Sequence, residues 1–232
     1  MPRTAKPAPR HAYTLSEVRA ILAVVPEPAW TVVMTAAYSG LSKGEIQGLR
    51  WEDFSGEKIT VNRVVWNGIT NDTKTDNRQA PVAVIKQLRD ALELHRVRMG
   101  KLAQPNLPIF QGGTGSPLSL HNLANRVIKP LLNRCTVCRK PKEEHKPEGH
   151  VFERDNSLPQ WFGWHAFRRG LATNLHALGV PDKEVQAILR HSDVRLTQNI
   201  YMQSLDQSQV EAMDLLSENL AACNELATKR IQ

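Results

Sequence analysis

The sequence predicts an α+β fold that is mainly α-helical, with a small antiparallel sheet at one edge. Three observations lead there. Apolar residues recur at helical spacing through most segments, the period drops to two between Lys58 and Val84, and helical spacing resumes at Ile85. A period of 3.6 lines one side of a helix with apolar groups, whereas a period of two lines one face of a strand.

Residues 1–13 hold Arg3, Lys6 and Arg10, three prolines and no acid, and read as a basic linker or arm. Order is expected from Thr14, because Thr14-Leu15-Ser16-Glu17 is a capping-box pattern. Val18, Ile21, Leu22 and Val25 then form one apolar helix face, which Pro26 and Pro28 end. Ala29 to Leu41 is nearly all apolar and predicts a buried helix stopping around Gly40, followed by a short helix from Ser42 to Leu49. Ile59, Val61, Arg63 and Val65 alternate as in a strand, and Asn67-Gly68 is a hairpin turn signal. A polar segment, Asn71 to Asn77, precedes a second extended stretch, Arg78 to Val84, which gives a sheet of two or three strands.

Ile85, Leu88, Leu92 and Met99 mark a long helix with Gly100 just past its end. A loop with Pro105, Pro108 and Gly112-Gly113 leads to a helix from about Ser119 to Asn133. Residues 134–160 have turn formers, mixed charge and no sustained period, and read as an insertion. Helices follow at about His165–Leu178, stopped by Gly179, and at Pro181–Leu189, with Pro181 at the first helical position. Thr197 caps a further short helix carrying Tyr201, and Val210, Met213, Leu216, Leu220 and Cys223 repeat along an amphipathic tail.

Composition narrows the function classes. The 232 residues include 30 Lys+Arg and 23 Asp+Glu, a net charge of 30 − 23 = +7, and 41% are hydrophobic. These fractions exclude wholesale disorder and fibrous repeats. No apolar run approaches the roughly 18–20 residues of a membrane span, so no membrane partner is expected. Met1 to Tyr13 has no apolar centre and does not read as a secretory signal. Three cysteines cannot build a disulfide framework at this size, which favours a reducing, cytoplasmic location. The basic excess suggests a polyanionic partner.

The chemistry-bearing residues cluster late in the chain. On the helix at 165–178, Phe167, Leu171, Leu175 and Leu178 form the expected buried stripe, with His165 and Arg168 along its edge. An imidazole and a guanidinium placed there suit an oxyanion, the guanidinium offering two parallel donors. His191 and Tyr201 follow in Leu189-Arg190-His191-Ser192-Asp193-Val194-Arg195-Leu196-Thr197-Gln198-Asn199-Ile200-Tyr201.

The set His165-x2-Arg168, His191, Tyr201 resembles the C-terminal signature of the tyrosine recombinase (phage integrase) family. The resemblance extends to Tyr38–Ile46 with Leu49-Arg50-Trp51-Glu52-Asp53, similar to the family's first catalytic segment. It includes Thr73-Lys74-Thr75, similar to the hairpin lysine segment, and Leu118-Ser119-Leu120. It implies an integrase-like catalytic domain over 14–228 and transesterification at a DNA phosphodiester, with a 3′-phosphotyrosine intermediate and a free 5′-hydroxyl. Tyr201 would be the nucleophile, Arg168 and His191 would hold the phosphate, His165 would handle the proton near the nucleophile, and Lys74 would protonate the departing 5′-oxygen. Lys58 and Lys86 are alternatives for the lysine. Covalent attachment conserves the bond energy, so no catalytic cofactor or metal is needed. The implied partners are double-stranded DNA and further copies of the chain, a tetramer in synapsis; no small-molecule substrate is implied. Thirteen residues cannot supply the family's N-terminal DNA-clamping domain, so a catalytic fragment with weak DNA binding is expected.

One position departs from the family. An arginine usually follows the Gly-Leu of the first segment, where this chain has Ser42. Losing one preorganised donor costs on the order of 10²–10³ in rate, so cleavage is expected to be strongly impaired. A degenerate enzyme, a relocated cation and an engineered substitution all fit. Lys43, Arg50 and Arg169 are the replacement donors considered, each poorly placed by helical spacing or by its setting. Two further functional readings stay open: a catalytically degenerate DNA-binding relative and a type IB topoisomerase-like nicking enzyme.

The insertion contains Cys135-x2-Cys138-x6-His145-x4-His150, which can close a tetrahedral structural zinc site with two thiolates and two imidazoles. A reduced, metal-free loop is the alternative. From Arg126 to Arg154 there are eight basic and four acidic residues, a cationic surface able to meet DNA phosphates. Trp161, Phe162 and Trp164 are expected to anchor the core or its loops, and the amphipathic tail to pack on a neighbouring protomer or on its own core.

Overall fold

The computed structural model describes residues 10–66, 68–72, 81–113, 115–146 and 149–190. At the centre is α2 (Ala29–Ser39), in which nine residues, three of them polar, are buried. Its buried hydroxyls are all satisfied: Thr31 Oγ1 donates to the Glu27 carboxylate, Thr35 Oγ1 to Thr31 O at 2.9 Å and Ser39 Oγ to Thr35 O at 2.5 Å. Burying a hydroxyl is tolerable only with such a partner. Before it lies α1 (Leu15–Leu22), capped by Thr14 with the expected box closed by Glu17.

Packing begins upstream of that cap. Tyr13 is fully buried, its backbone N–H donates to Ala166 O and its hydroxyl donates to Gln160 O. His11 stacks on Phe162 with ring centroids 3.9 Å apart. The last residues of the expected 1–13 arm are therefore docked on the later helices.

α2 ends at Gly40, whose φ of 66° is a left-handed conformation natural to glycine. The next helix, α3 (Lys43–Gly48), lies on β2 (Arg63–Trp66). The approach is close: a Cβ on Gly48 would sit 2.6 Å from the Arg63 carbonyl oxygen, and one on Gly44 2.9 Å from that of Val65.

The expected single sheet is in fact two separate antiparallel pairs of strands. β1 (Lys58–Ile59) pairs with β4 (Val82–Ala83), and β2 pairs with β3 (Ile69–Asp72) in the register Trp66↔Ile69 to Arg63↔Asp72. The two residues between Trp66 and Ile69 match the expected hairpin turn. β3 begins directly after that turn and takes up part of the stretch expected to be a polar connection.

α4 (Lys86–Met99) packs on α2. The helix expected at about 119–133 is α5 (Leu120–Leu123), a π-helical segment over Ala124–Ile128, and α6 (Lys129–Leu132). Pro130, which lacks an N–H, stands just after the π segment, where the regular ladder loses a donor.

α7 (Trp164–Ala177) packs on α2 and α8 (Asp182–Leu189) on α7. The buried side of α7 is Trp164, Ala166, Phe167, Gly170 and Ala172. Leu171 and Leu175 are only partly buried, against Val185 and Leu189, and Leu178 is 71% exposed because the helix has ended. The stripe drawn from spacing is thus half right: Ala166 and Gly170 lie against the Tyr13 backbone, where a Cβ on Gly170 would come within 2.3 Å of the Tyr13 carbonyl oxygen, and Ala172 packs with Val185 and Leu189. Pro181 is the N-cap of α8 rather than its first residue. Among the described residues no helix is long and apolar enough to cross a membrane.

Candidate active site

Three segments distant in sequence meet at one seam: the Gly40–Glu45 turn and helix start, the first turn of α7, and the end of α8. Arg168, on α7, joins them. Its Nη1 donates to Gly40 O and its Nη2 to Leu189 O. Gly40 is pressed against the same region, since a Cβ there would come within 2.8 Å of Leu189 Cδ2.

His165 stands one turn before Arg168 on the exposed flank of α7. Partial burial, then the charges of Arg168, Arg169 and Arg10, hold its pKa below the usual 6.5, while Glu45 pulls the other way. The imidazole is therefore neutral at pH 7 and able to accept a proton.

Ser42 is the N-cap of α3. Its Oγ accepts from Glu45 N at 3.4 Å, and its own N–H donates to Glu45 Oε2 at 2.7 Å. Ser42-Lys43-Gly44-Glu45 is a capping box, a pattern legible in the sequence itself. The second carboxylate oxygen, Oε1, accepts from Arg190 Nη2 at 2.9 Å, and the two side chains are only 7% and 3% exposed. Sequence reasoning quoted Glu45 and Arg190 but gave neither a role. Nothing local marks Arg190, whose partner lies 145 residues away.

Of the alternative donors to Ser42, Lys43 is the first residue of α3, directly beside it, whereas Arg50 and Arg169 are engaged elsewhere. Arg50 lies 3.8 Å from Glu52. Arg169 Nε donates to His11 O at 2.7 Å, fastening the arm. Of the lysines weighed against Lys74, Lys58 is exposed on β1 and Lys86 pairs with Asp90 at 2.5 Å. Lys74, His191 and Tyr201 lie outside the described residues, as do the tail helix and Cys223.

The insertion is built around a knuckle. Arg139 N donates to Cys135 O, Cys135 N donates to Lys140 O, and Arg139 takes a left-handed φ of 61°. Arg134 and Arg139 both grip the Asp155 carboxylate, whose side chain is 4% exposed. A hydrogen bond from the Ser157 side chain, with support from Arg134 and Arg139, keeps its pKa low. One ligand atom from each of Cys135, Cys138, His145 and His150 lies within 4.8 Å of the others. Cys135 Sγ is 3.2 Å from His150 Nε2, and Cys138 Sγ is 3.5 Å from His145 Nδ1. Burial raises the Cys135 thiol, but backbone hydrogen bonds at Cys138, Glu153 and Val137 and one with His150 outweigh it and bring the pKa to about 6. Trp164 is buried, donating from Nε1 to Leu120 O, and Trp161 packs edge-on against it, as anchors should.

The sequence profile of the phage integrase family matches residues 13–208. The chain belongs to the phage integrase family. A tyrosine recombinase XerC-like protein of Caldanaerobacter subterraneus subsp. tengcongensis is 25% identical over 205 residues, covering 78% of this chain and 46% of that protein. The chain thus spans less than half the length of that relative. Among solved structures, the Tn1549 transposon integrase in complex with circular intermediate DNA superposes with a TM-score of 0.64 at 19% identity, covering 90% of this chain and 67% of the other. XerA recombinase gives a TM-score of 0.60 at 17% identity, covering 94% and 66%. XerH bound to a palindromic difH substrate gives 0.59 at 16%, covering 93% and 56%. The chain shares the fold of these structures, mainly helical with a small antiparallel part.

Proposed function

We propose that this chain is the catalytic domain, over about 14–228, of a site-specific DNA recombinase that breaks and rejoins strands through Tyr201. The observation that carries the reading is the seam at Arg168, where the first catalytic segment, the His165-x2-Arg168 helix turn and the residues leading into His191 come together. A guanidinium at that junction can hold a non-bridging phosphate oxygen with two donors.

In the reaction the Tyr201 phenol loses its proton, with neutral His165 as acceptor, and its oxygen bonds to phosphorus. The P–O5′ bond breaks and the 5′-oxygen leaves with a proton from Lys74. Charge building on the phosphoryl oxygens is met by Arg168 and His191. The reverse attack by a 5′-hydroxyl reseals the strand, so neither cofactor nor catalytic metal is consumed. Double-stranded DNA is the substrate, and copies of the chain act together as a tetramer in the cytoplasm of a cell carrying the mobile element.

We also infer a structural zinc in the insertion. With Zn–S near 2.3 Å and Zn–N near 2.0–2.1 Å, tetrahedral geometry sets S···N at about 3.6 Å. The separations of 3.2 and 3.5 Å lie close to that. Cys135, Cys138, His145 and His150 would hold the ion, and a four-ligand site is closed, so its chemistry is to staple the loop.

The test is covalent capture of nicked suicide duplexes from a pool of randomised core sequence. The unmodified chain should form a protein–DNA adduct resistant to denaturant, and Tyr201→Phe should form none. Equal capture by both proteins would refute the assignment.

A further inference from the structure

Arg190 occupies a backbone conformation that its side chain does not favour. It closes α8 in the left-handed region, φ 56° and ψ 38°, where glycine or asparagine is the usual residue. Residues held in that region by their surroundings concentrate at functional sites. The guanidinium is turned inward to the same seam as Arg168. The carbonyl that Arg168 Nη2 grips belongs to Leu189, the residue before Arg190. The carboxylate that Arg190 Nη2 meets, Glu45, closes the Ser42 cap. The charge of Glu45 is also felt at His165. Ser42, His165, Arg168 and Arg190 thus belong to one neighbourhood; the charges of Arg169 and Arg10 also reach His165, but Arg190 is the cation paired with the carboxylate that closes the Ser42 cap.

We propose that Arg190 is the relocated phosphate-gripping guanidinium of this recombinase, acting in place of the arginine that Ser42 replaces. Two cationic donors are then retained at the scissile phosphate, Arg168 from α7 and Arg190 from the end of α8. Glu45 holds the Arg190 fork in place before DNA binds, as a carboxylate orients a bidentate donor. The impairment expected from Ser42 alone does not follow. The inference rests on the recombinase reading, because it needs a phosphate at the seam.

The experiment measures the rate of covalent capture of the same nicked duplex pool by the 232-residue chain, by three variants at Arg190, and by Ser42→Arg and Tyr201→Phe as single changes. Arg190→Lys keeps the pairing with Glu45 but offers a single ammonium, and should slow capture at least 10-fold with an unchanged melting temperature. Arg190→Gln/Glu45→Gln removes both charges and should slow it at least 10²-fold. Ser42→Arg/Arg190→Gly moves the guanidinium back across the seam and should recover to within 10-fold of the unmodified chain. Capture by Arg190→Lys at the unmodified rate would overturn the proposal even if the neutral pair fails to fold. So would a folded swap variant no faster than the neutral pair. Should the unmodified chain capture nothing while Ser42→Arg alone does, Arg190 is no substitute and the recombinase reading stands. Should capture survive Tyr201→Phe, that reading is what fails.

Discussion

The hydroxyl of Ser42 caps α3 and its backbone N–H is taken by Glu45, so this residue serves the start of the helix. Ser42→Ala should cost about 0.5–2 kcal/mol, the usual loss for an N-cap, read as a lowered midpoint in urea with the slope preserved. Two histidines set a pH response. His95 is held below 6.5 mainly by burial, and His165 by partial burial and then the arginines around it. In each case the unfolded chain takes up the proton first, so this stability is present above pH 6.5 and is lost as pH falls below it. Urea midpoints should therefore fall between pH 7.5 and pH 5.5, and His165→Asn should lessen the fall. A midpoint independent of pH over that range would contradict the assigned environments.

At the level of elements, the site depends on how closely α3 can lie on β2. Gly44 and Gly48, one turn apart, leave no room for a side chain against the carbonyls of Val65 and Arg63. Gly48→Ala should destabilise the fold by about 1–3 kcal/mol, as overpacking does. Gly113→Ala, where an added Cβ meets nothing within 4 Å, should stay within about 0.5 kcal/mol. Comparable losses at both positions would mean that the contact with β2 is unimportant. The insertion makes a different prediction. Purified chain should carry about one zinc, Cys135→Ser/Cys138→Ser should carry none, and a strong chelator should expose the loop to proteolysis. Far less than one zinc per chain with the loop still protected would remove the metal from the account.

For the whole molecule, the net charge of +7 matters through its distribution. Lys140, Lys142 and Lys146 are exposed on the insertion, within the stretch that carries a basic excess. If about four phosphates are neutralised, DNA affinity should drop on the order of 10²-fold between 50 and 200 mM salt. Replacing these three lysines by glutamine should then reduce the slope of log affinity against log salt by roughly 2–3. An unchanged slope in a fluorescence-anisotropy titration would assign them to solvent.

Local chemistry was enough for much of this. The cap at Thr14, the stop at Gly40, the two-residue hairpin turn, the long α4 and the Cys/His knuckle were all readable, because each depends on residues within a turn or two of one another. The family was readable too, since short motifs in a fixed order constrain one another. Spacing misjudged the buried side of α7, where Ala166 and Gly170 lie against the Tyr13 backbone, because contact with a segment far upstream leaves no periodic mark. The docking of Tyr13 on Ala166 and the pairing of Arg190 with Glu45 had no local mark at all. Sequence by itself determined most of the helices and the family to which the chain belongs. Only tertiary structure decided which cation meets Glu45 behind the Ser42 cap, because a charge is placed by the segments that fold against it and these are far apart along the chain.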